Sequence, residues 1–260
     1  MSILSTLLFD RKKKNSTDTI DNGVKLITAV HPKSIISEQF RTIRTNIDFM
    51  AIDKQIRTLA FTSANVSEGK STVTDNIVVV FAQNGQHVLL VDADLRRPTL
   101  SKSFGVDNRQ GLTSILTSRV QSIDLSQIIK PSGIQNLDVL PSGPIPPNPA
   151  ELLASQRMQA FLDAVKQNYD MVILDVPPML EVTDTQVLSH SLDAVVMVIR
   201  QGRTQKMAAR RSVELLHMAH ANLLGYVMNA ADSKADAGYG YGYGYGYGYG
   251  YGYGYGEGEK

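Results

Sequence analysis

Short runs that are apolar at almost every position alternate along the chain with longer stretches in which apolar residues recur at helical spacing. The apolar runs predict strands at 58–63, 87–92, 137–142, 171–176, 194–199 and 223–230. The helical spacing predicts helices at 34–50, 70–84, 111–118, 155–168, 184–191 and 204–221. Strands that are apolar throughout are typical of a sheet covered on both faces. We therefore expect an α/β fold, a doubly wound and mostly parallel sheet with helices on both faces.

The two ends of the chain do not share this pattern. Residues 1–30 are polar, charged and poorly periodic, so we expect a flexible N-terminal arm. Residues 233–260 contain nine consecutive Gly-Tyr pairs, which cannot build a packed core, so we expect a disordered tail. The domain between them, residues 31–232, is long enough to bury a core of its own.

Composition narrows the classes of function. With a net charge of +1, the chain of 260 residues has no overall field that would favour a nucleic-acid partner. It contains no cysteine, which excludes disulfides and thiolate metal sites. No apolar run approaches the ~18 residues that span a bilayer. The basic residues 11–14 follow the first apolar stretch, an order unlike that of a secretory signal.

A phosphate-binding loop is predicted between the first strand and the helix that follows it. The segment SANVSEGKST fits the pattern G-x-x-x-x-G-K-[ST], with Ala64 at the first glycine position and Gly69, Lys70 and Ser71 completing it. In such a loop backbone N–H groups hold phosphate oxygens, the lysine neutralises the β- and γ-phosphates, and the serine ligates Mg²⁺. The alternative is a chance match at the start of a helix.

Three aspartates end two of the predicted strands. Asp92 and Asp94 close HVLLVDAD, and Asp175 closes MVILD. Because carboxyl ends of parallel strands meet at one edge, we expect these acids to converge with Lys70. Carboxylates there suit Mg²⁺, and one beside a γ-phosphate can accept the proton of a tyrosine hydroxyl, whose pKa is ~10. The alternative is that Asp92 or Asp94 merely caps the next segment.

A third constellation lies on the first predicted long helix. Glu38, Arg41 and Arg44 recur at the i, i+3, i+6 spacing and therefore lie along one side of it. Spacing alone favours a solvated face with a local ion pair.

With these motifs the chain resembles the bacterial tyrosine kinases of capsule and exopolysaccharide synthesis, a family of the phosphate-loop NTPase type. The resemblance runs from about Lys33 to Asp232, and the tyrosine-rich end matches in kind. Its motifs are the loop lysine with Ser71 and Thr72, and the segments VLLVDADLRRP, LPSGPIPPNPAELL and YDMVILDVPP. Departures are Ser67, where loops of the family usually carry glycine, and Asp75, an acid in the first helix after the loop.

The resemblance implies a role for each motif residue. Lys70 and Asp92 would be catalytic, with Asp92 as the base. Ser71, Asp94 and Asp175 would hold Mg²⁺. The implied nucleotide-binding residues for ATP are Ser67, Glu68, Gly69, Lys70, Ser71, Thr72 and Asn229, the last of which contacts the purine in related ATPases.

The resemblance also implies partners and a setting. Glu38, Arg41 and Arg44 would join subunits into a homo-oligomeric ring. A transmembrane activator would hold the kinase at the inner face of the plasma membrane and stimulate it, and a cognate phosphotyrosine phosphatase would reverse the reaction. The phosphoacceptors would be the tail tyrosines Tyr239, Tyr241, Tyr243, Tyr245, Tyr247, Tyr249, Tyr251, Tyr253 and Tyr255.

Two other functions remain open. A partitioning or septum-positioning ATPase shares the sheet and loop, but such proteins usually carry an extra lysine early in the loop. Residues 63–65 contain none, and those proteins lack tyrosine clusters. The second is a non-catalytic adaptor whose Gly-Tyr tail associates with itself.

Overall fold

The computed structural model describes residues 22–51, 55–118 and 124–231, so the predicted disorder of the tail lies outside the described residues. The helices are α1 (Ile27–Val30), α2 (Ile35–Met50), α3 (Lys70–Gln83), α4 (Leu100–Phe104), α5 (Leu112–Thr117), α6 (Leu125–Ile128), α7 (Pro149–Leu153), α8 (Gln156–Val165), α9 (Asp184–Ser189) and α10 (Lys206–Met218). The strands are β1 (Thr58–Ser63), β2 (Val88–Asp92), β3 (Lys130–Pro131), β4 (Leu137–Leu140), β5 (Met171–Asp175), β6 (Ala194–Arg200) and β7 (Leu223–Asn229).

The strands form one sheet in the order β3-β4-β2-β5-β1-β6-β7. Every pairing is parallel except that of β3 with β4. Strand order reverses around β1, as in a doubly wound sheet, so the predicted fold class is confirmed.

Helices cover both faces of the sheet. Along β2, Leu89 and Val91 pack into one apolar cluster with α5, α8 and α9. Val88 and Leu90 pack into the other with α2 and α3. All four side chains are fully buried, which explains why this strand is apolar at every position.

Register brings the predicted acids to one edge. Asp92 of β2 lies opposite Asp175 of β5, and Asp175 also pairs with Phe61 of β1. β1 ends two residues beyond that pair, so the phosphate loop that follows β1 shares the carboxyl edge of the sheet with both acids.

The N-terminal side of the domain differs from expectation. Thr28, which we expected in a flexible arm, is fully buried. Its hydroxyl donates to Asn76 O at 3.0 Å, and its carbonyl accepts from Gln83 at 3.1 Å. Residues 24–30 therefore pack on α3: Ile27 and Ala29 lie against the apolar cluster that includes α3, and Thr28 adds buried hydrogen bonds. The arm before residue 22 lies outside the described residues.

The short elements β3, α4, α6 and α7 were not predicted, since none spans enough residues to show a period. Within the described parts of the chain, no helix is long and apolar enough to cross a membrane.

Candidate functional site: a phosphate loop with buried acids

The loop between β1 and α3 is closed by its own glutamate. The carboxylate of Glu68 is buried and accepts hydrogen bonds from the backbone N–H groups of Ala64 at 2.9 Å and Asn65 at 3.2 Å. Gly69 has a φ of +90°, a conformation that residues with a side chain rarely adopt, and a Cβ there would collide with the side-chain amide of Asn229. Only glycine therefore fits at the start of α3, whose first-turn N–H groups have no intrahelical partner.

Lys70 lies between two carboxylates. Its Nζ is 3.1 Å from Asp94 Oδ2 and 3.1 Å from Asp175 Oδ1. The hydroxyl of Ser71 donates to Asp175 Oδ2 at 2.6 Å. The structure thus brings together four of the residues predicted from separate segments of the chain.

The protonation of this group follows from burial and charge. Burial disfavours the ammonium form of Lys70, but the nearby carboxylates of Asp175 and Asp94 outweigh it and raise its pKa. Burial likewise raises the pKa of Asp175, against the opposing effect of Lys70. Lys70 is therefore a permanent cation, as phosphate neutralisation requires.

Asp92 is placed differently from Asp94. It is fully buried, and its Oδ2 accepts from the backbone N–H groups of Thr99 and Leu100, both at 3.1 Å. Its Oδ1 has no hydrogen-bond partner among the described residues. Burial, followed by repulsion from Asp175 and Asp94, raises its pKa well above the usual value. Asp92 thus caps the start of α4, and its predicted role as the base stays a prediction.

Asp75 adds a further buried acid one turn beyond Ser71. Neither of its carboxylate oxygens has a hydrogen bond of good geometry, although the hydroxyl of Ser103 lies close enough to oppose the rise of its pKa. Burial, and then repulsion from Asp175, raises its pKa to about 8. The carboxyl group of Asp75 is therefore mostly protonated in the folded domain near neutral pH.

A cavity of about 420 Å³ opens in front of the loop. Asp94 lines it, whereas Asp92 and Asp175 are buried and do not. Of the predicted nucleotide-binding residues, all but Glu68 line it, namely Ser67, Gly69, Lys70, Ser71, Thr72 and Asn229. Asn229 does not stand free: its Nδ2 donates to Glu68 O at 2.9 Å.

Three arginines also line the cavity, Arg96, Arg97 and Arg200. Arg96 donates twice to the buried Asp184, at 2.8 and 2.9 Å, which fixes its guanidinium at the cavity wall. Sequence reasoning missed Arg200 and Asp184. Arg200 ends the apolar run of β6 at the ligand edge, a signal that would have found it. Asp184 opens a short helix and carries no such signal.

The predicted oligomerisation residues lie on α2, away from this cavity. Glu38 pairs with Arg41, and Arg44 Nε lies 3.6 Å from Asp48. Their role between subunits stays a prediction.

The residues of the site fit a nucleotide. The start of α3 and Lys70 form an anion site for phosphate, and Ser71 with the neighbouring carboxylates forms a cation site. The fold and this site define a phosphate-loop nucleotide-binding protein.

Comparison with known proteins takes the identification further. A family model described as an AAA domain matches residues 56–217. The tyrosine-protein kinase YwqD of Bacillus subtilis is 46% identical over 217 residues, which are 84% of this chain and 90% of YwqD. CapB of Staphylococcus aureus is 37% identical over 208 residues, 80% of this chain and 90% of CapB. The chain belongs to the bacterial tyrosine kinase family.

Solved structures agree. The kinase domain of Escherichia coli tyrosine kinase ETK superposes with a TM-score of 0.77 at 32% identity, covering 93% of this chain and 92% of that domain. The cell-division ATPase MinD of Pyrococcus furiosus reaches 0.56 at 24% identity over 66% of this chain and 71% of MinD, which shows a common fold alone. The partitioning-type alternative is therefore the more distant likeness.

Proposed function

We propose that this chain transfers the γ-phosphoryl group of ATP to tyrosine hydroxyls, with the tyrosines of its own C-terminal tail among the acceptors. The observation that carries the proposal is Lys70, held between Asp94 and Asp175 at the head of a phosphate loop. Family membership supplies the class of acceptor, and the nine tail tyrosines supply the candidates.

The loop residues divide the work of binding. Backbone N–H groups at the start of α3 hold phosphate oxygens, and Lys70 neutralises the charge between the β- and γ-phosphates. Ser71, Asp94 and Asp175 offer the hard oxygen ligands that Mg²⁺ takes. The described residues contain no cluster of three or more His, Asp or Glu side chains placed to hold a metal alone. Bound Mg²⁺ supplies neutralisation of the phosphate charge.

A carboxylate must accept the proton of the attacking phenol. As the new bond from the tyrosine oxygen to phosphorus forms, the bond to ADP breaks and the phenolic proton passes to the base. We propose Asp92 for this role, supported by its unpartnered Oδ1. Because Asp92 is fully buried and does not line the cavity, this role requires a rearrangement that exposes it to the acceptor. Asp94, which already lines the cavity, is the alternative base.

The domain ends at the nucleotide cavity. Ala230, the residue that follows β7, lines the cavity wall. A Gly-rich coil, which the sequence predicts for residues 231 to 255, would have a root-mean-square span of about 25–30 Å. That reach permits transfer within one subunit or to a neighbour.

We further propose the setting that the family resemblance implies. Subunits join through Glu38, Arg41 and Arg44 of α2, a transmembrane activator holds the ring at the inner face of the plasma membrane, and a phosphotyrosine phosphatase resets it. Each phosphotyrosine adds about −1.5 to −2 charges. Several on adjacent tails oppose a closed ring, so phosphorylation would dissociate it and thereby regulate capsular or exopolysaccharide synthesis or export.

Incubation of the full chain with ATP and Mg²⁺, followed by assays of phosphotyrosine and released phosphate, tests the activity. Lys70→Met removes the cation at the phosphates and should lower phosphotyrosine formation about 100-fold or more. Lys206→Met, on the exposed start of α10, is the matched control and should behave as wild type.

The same assay separates the other two functions. Phosphate release without phosphotyrosine favours a partitioning-type ATPase, and neither product favours an adaptor. Both assays are run with and without the cytoplasmic segment of the activator. This control keeps a requirement for the activator apart from a true lack of kinase activity.

A further inference from the structure

Two neighbouring residues on the last two strands, β6 and β7, make side-chain hydrogen bonds to the phosphate loop. Arg200 at the end of β6 lies in register with Asn229 at the end of β7. Arg200 donates from its guanidinium to Ser67 O at 3.0 Å. Asn229 donates from Nδ2 to Glu68 O at 2.9 Å.

These two contacts fall on consecutive carbonyl groups of the loop. In a planar trans peptide the C=O of one residue and the N–H of the next point in opposite directions. Holding the carbonyls of Ser67 and Glu68 from the side of β6 and β7 therefore turns the N–H groups of Glu68 and Gly69 to the opposite side. These two neighbouring N–H groups then point the same way, and Gly69 is left-handed. Backbone N–H groups arranged in this way form an anion-binding nest.

The backbone of the loop needs such support. Ser67 has a φ of +61° and Gly69 a φ of +90°, so two of three successive residues are left-handed. Ser67 carries a Cβ, and residues with a Cβ leave this region readily when nothing holds them. Arg200 holds the carbonyl of Ser67, the strained residue itself.

The backbone of Arg200 and the side-chain amide of Asn229 are themselves held by hydrogen bonds. The N–H of Arg200 donates to the hydroxyl of Thr204 at 2.9 Å. Asn229 Oδ1 accepts from Ala230 N at 2.8 Å, which sets the amide so that Nδ2 faces the loop. The pair is thus anchored to the end of the sheet and not to the loop it supports.

We propose that Arg200 and Asn229 are positioning residues that hold the peptide planes of the phosphate loop in their phosphate-binding orientation. The proposal rests on the nucleotide-binding function proposed above. The phosphate cradle is tied to the end of β7, one residue before the chain continues toward the tail.

Nucleotide affinity, measured by calorimetry on the full chain without turnover, tests the pair. Arg200→Met removes the donor and should weaken ADP binding about tenfold or more. Arg200→Gln restores a neutral donor and should recover part of that loss. Arg203→Met, an exposed arginine in the following turn, is the control and should bind ADP as wild type does.

The Gln variant separates positioning from direct contact. If Arg200 acts by its charge on the phosphates, Arg200→Gln loses as much affinity as Arg200→Met, and the proposal is overturned. Equal affinity of wild type and Arg200→Met also overturns it. Failure of the wild-type chain to bind ADP at all refutes the proposed function instead. The melting temperature of each nucleotide-free variant should stay close to that of wild type, which keeps loss of folding apart from loss of positioning.

Asn229 needs a second ligand, because an amide at this place also suits contact with a purine. Asn229→Leu removes the donor without adding charge. Positioning of the loop predicts parallel loss of affinity for ADP and for inorganic pyrophosphate, which has no base. Loss for ADP alone, with pyrophosphate binding unchanged, would assign Asn229 to the purine and remove it from the pair.

Discussion

At the scale of single residues, the site consists of ionisable side chains that are buried in the folded domain. Lys70 faces two carboxylates directly, and Asp75 and Asp92 lie buried nearby. Burying so many acids around one cation is costly unless some remain protonated. The raised pKa values of Asp75, Asp92 and Asp175 have this common cause.

Asp75 gives the sharpest pH dependence. The pKa of its carboxyl group is about 8 in the folded chain against an ordinary value of 3.8. Between these values the folded state keeps a proton that the unfolded state releases, so stability falls as pH rises from about 4 to about 8. Asp75→Asn cannot ionise and should escape this loss, by an amount on the order of a few kcal/mol at pH 8.

The measurement is the melting temperature of wild type and Asp75→Asn at pH 5 and at pH 8. The difference in favour of the variant should be larger at pH 8. A difference that is the same at both pH values, or larger at pH 5, would contradict this account of Asp75.

Residue chemistry was predictable where a motif specified it. Asp92, Asp94 and Asp175 were expected to converge with Lys70. Lys70 contacts Asp94 and Asp175, whereas Asp92 lies beside Asp175 in the sheet and bonds to the start of α4. The capping of α4 by Asp92 was open as an alternative. It could not be decided from sequence because α4 is too short to leave a periodic signal.

At the scale of elements, the strands were predicted almost to the residue, because burial on both faces leaves a continuous apolar run. The segment before α2 was the failure. Its attachment to α3 depends on Thr28, Asn76 and Gln83, three polar residues distant in sequence. Long-range polar pairing of this kind has no period and no local signature.

That attachment makes a prediction for stability. Thr28→Val preserves shape but removes a buried hydroxyl that donates to Asn76 O, and should lower the free energy of unfolding by about 1–3 kcal/mol. Thr42→Val, which removes an exposed hydroxyl bonded to Glu38 O within α2, is the control and should cost much less.

Denaturant unfolding of both variants provides the measurement. Equal losses for Thr28→Val and Thr42→Val would mean that the segment before α2 contributes no more than a surface contact. The segment matters for function because α3 carries Lys70 and Ser71 at its start.

At the scale of the whole molecule, one chain carries both a phosphate-binding edge and nine tail tyrosines, which we propose as acceptors. The fold follows from alternating apolar strands and helices, and the site from the fact that parallel strands end together. Sequence patterns do not predict side-chain pairs that support the phosphate loop from other strands, such as Arg200 and Asn229. Such a pair depends on the register between two strands, which neither segment determines alone.

The most direct measurement is the intact mass of the purified chain before and after incubation with ATP and Mg²⁺, followed by peptide mapping. The account predicts added mass in whole phosphate groups, located on tyrosines between Tyr239 and Tyr255 and absent when all nine are changed to phenylalanine. Consumption of ATP with no added mass, or phosphate found only outside the tail, would contradict it.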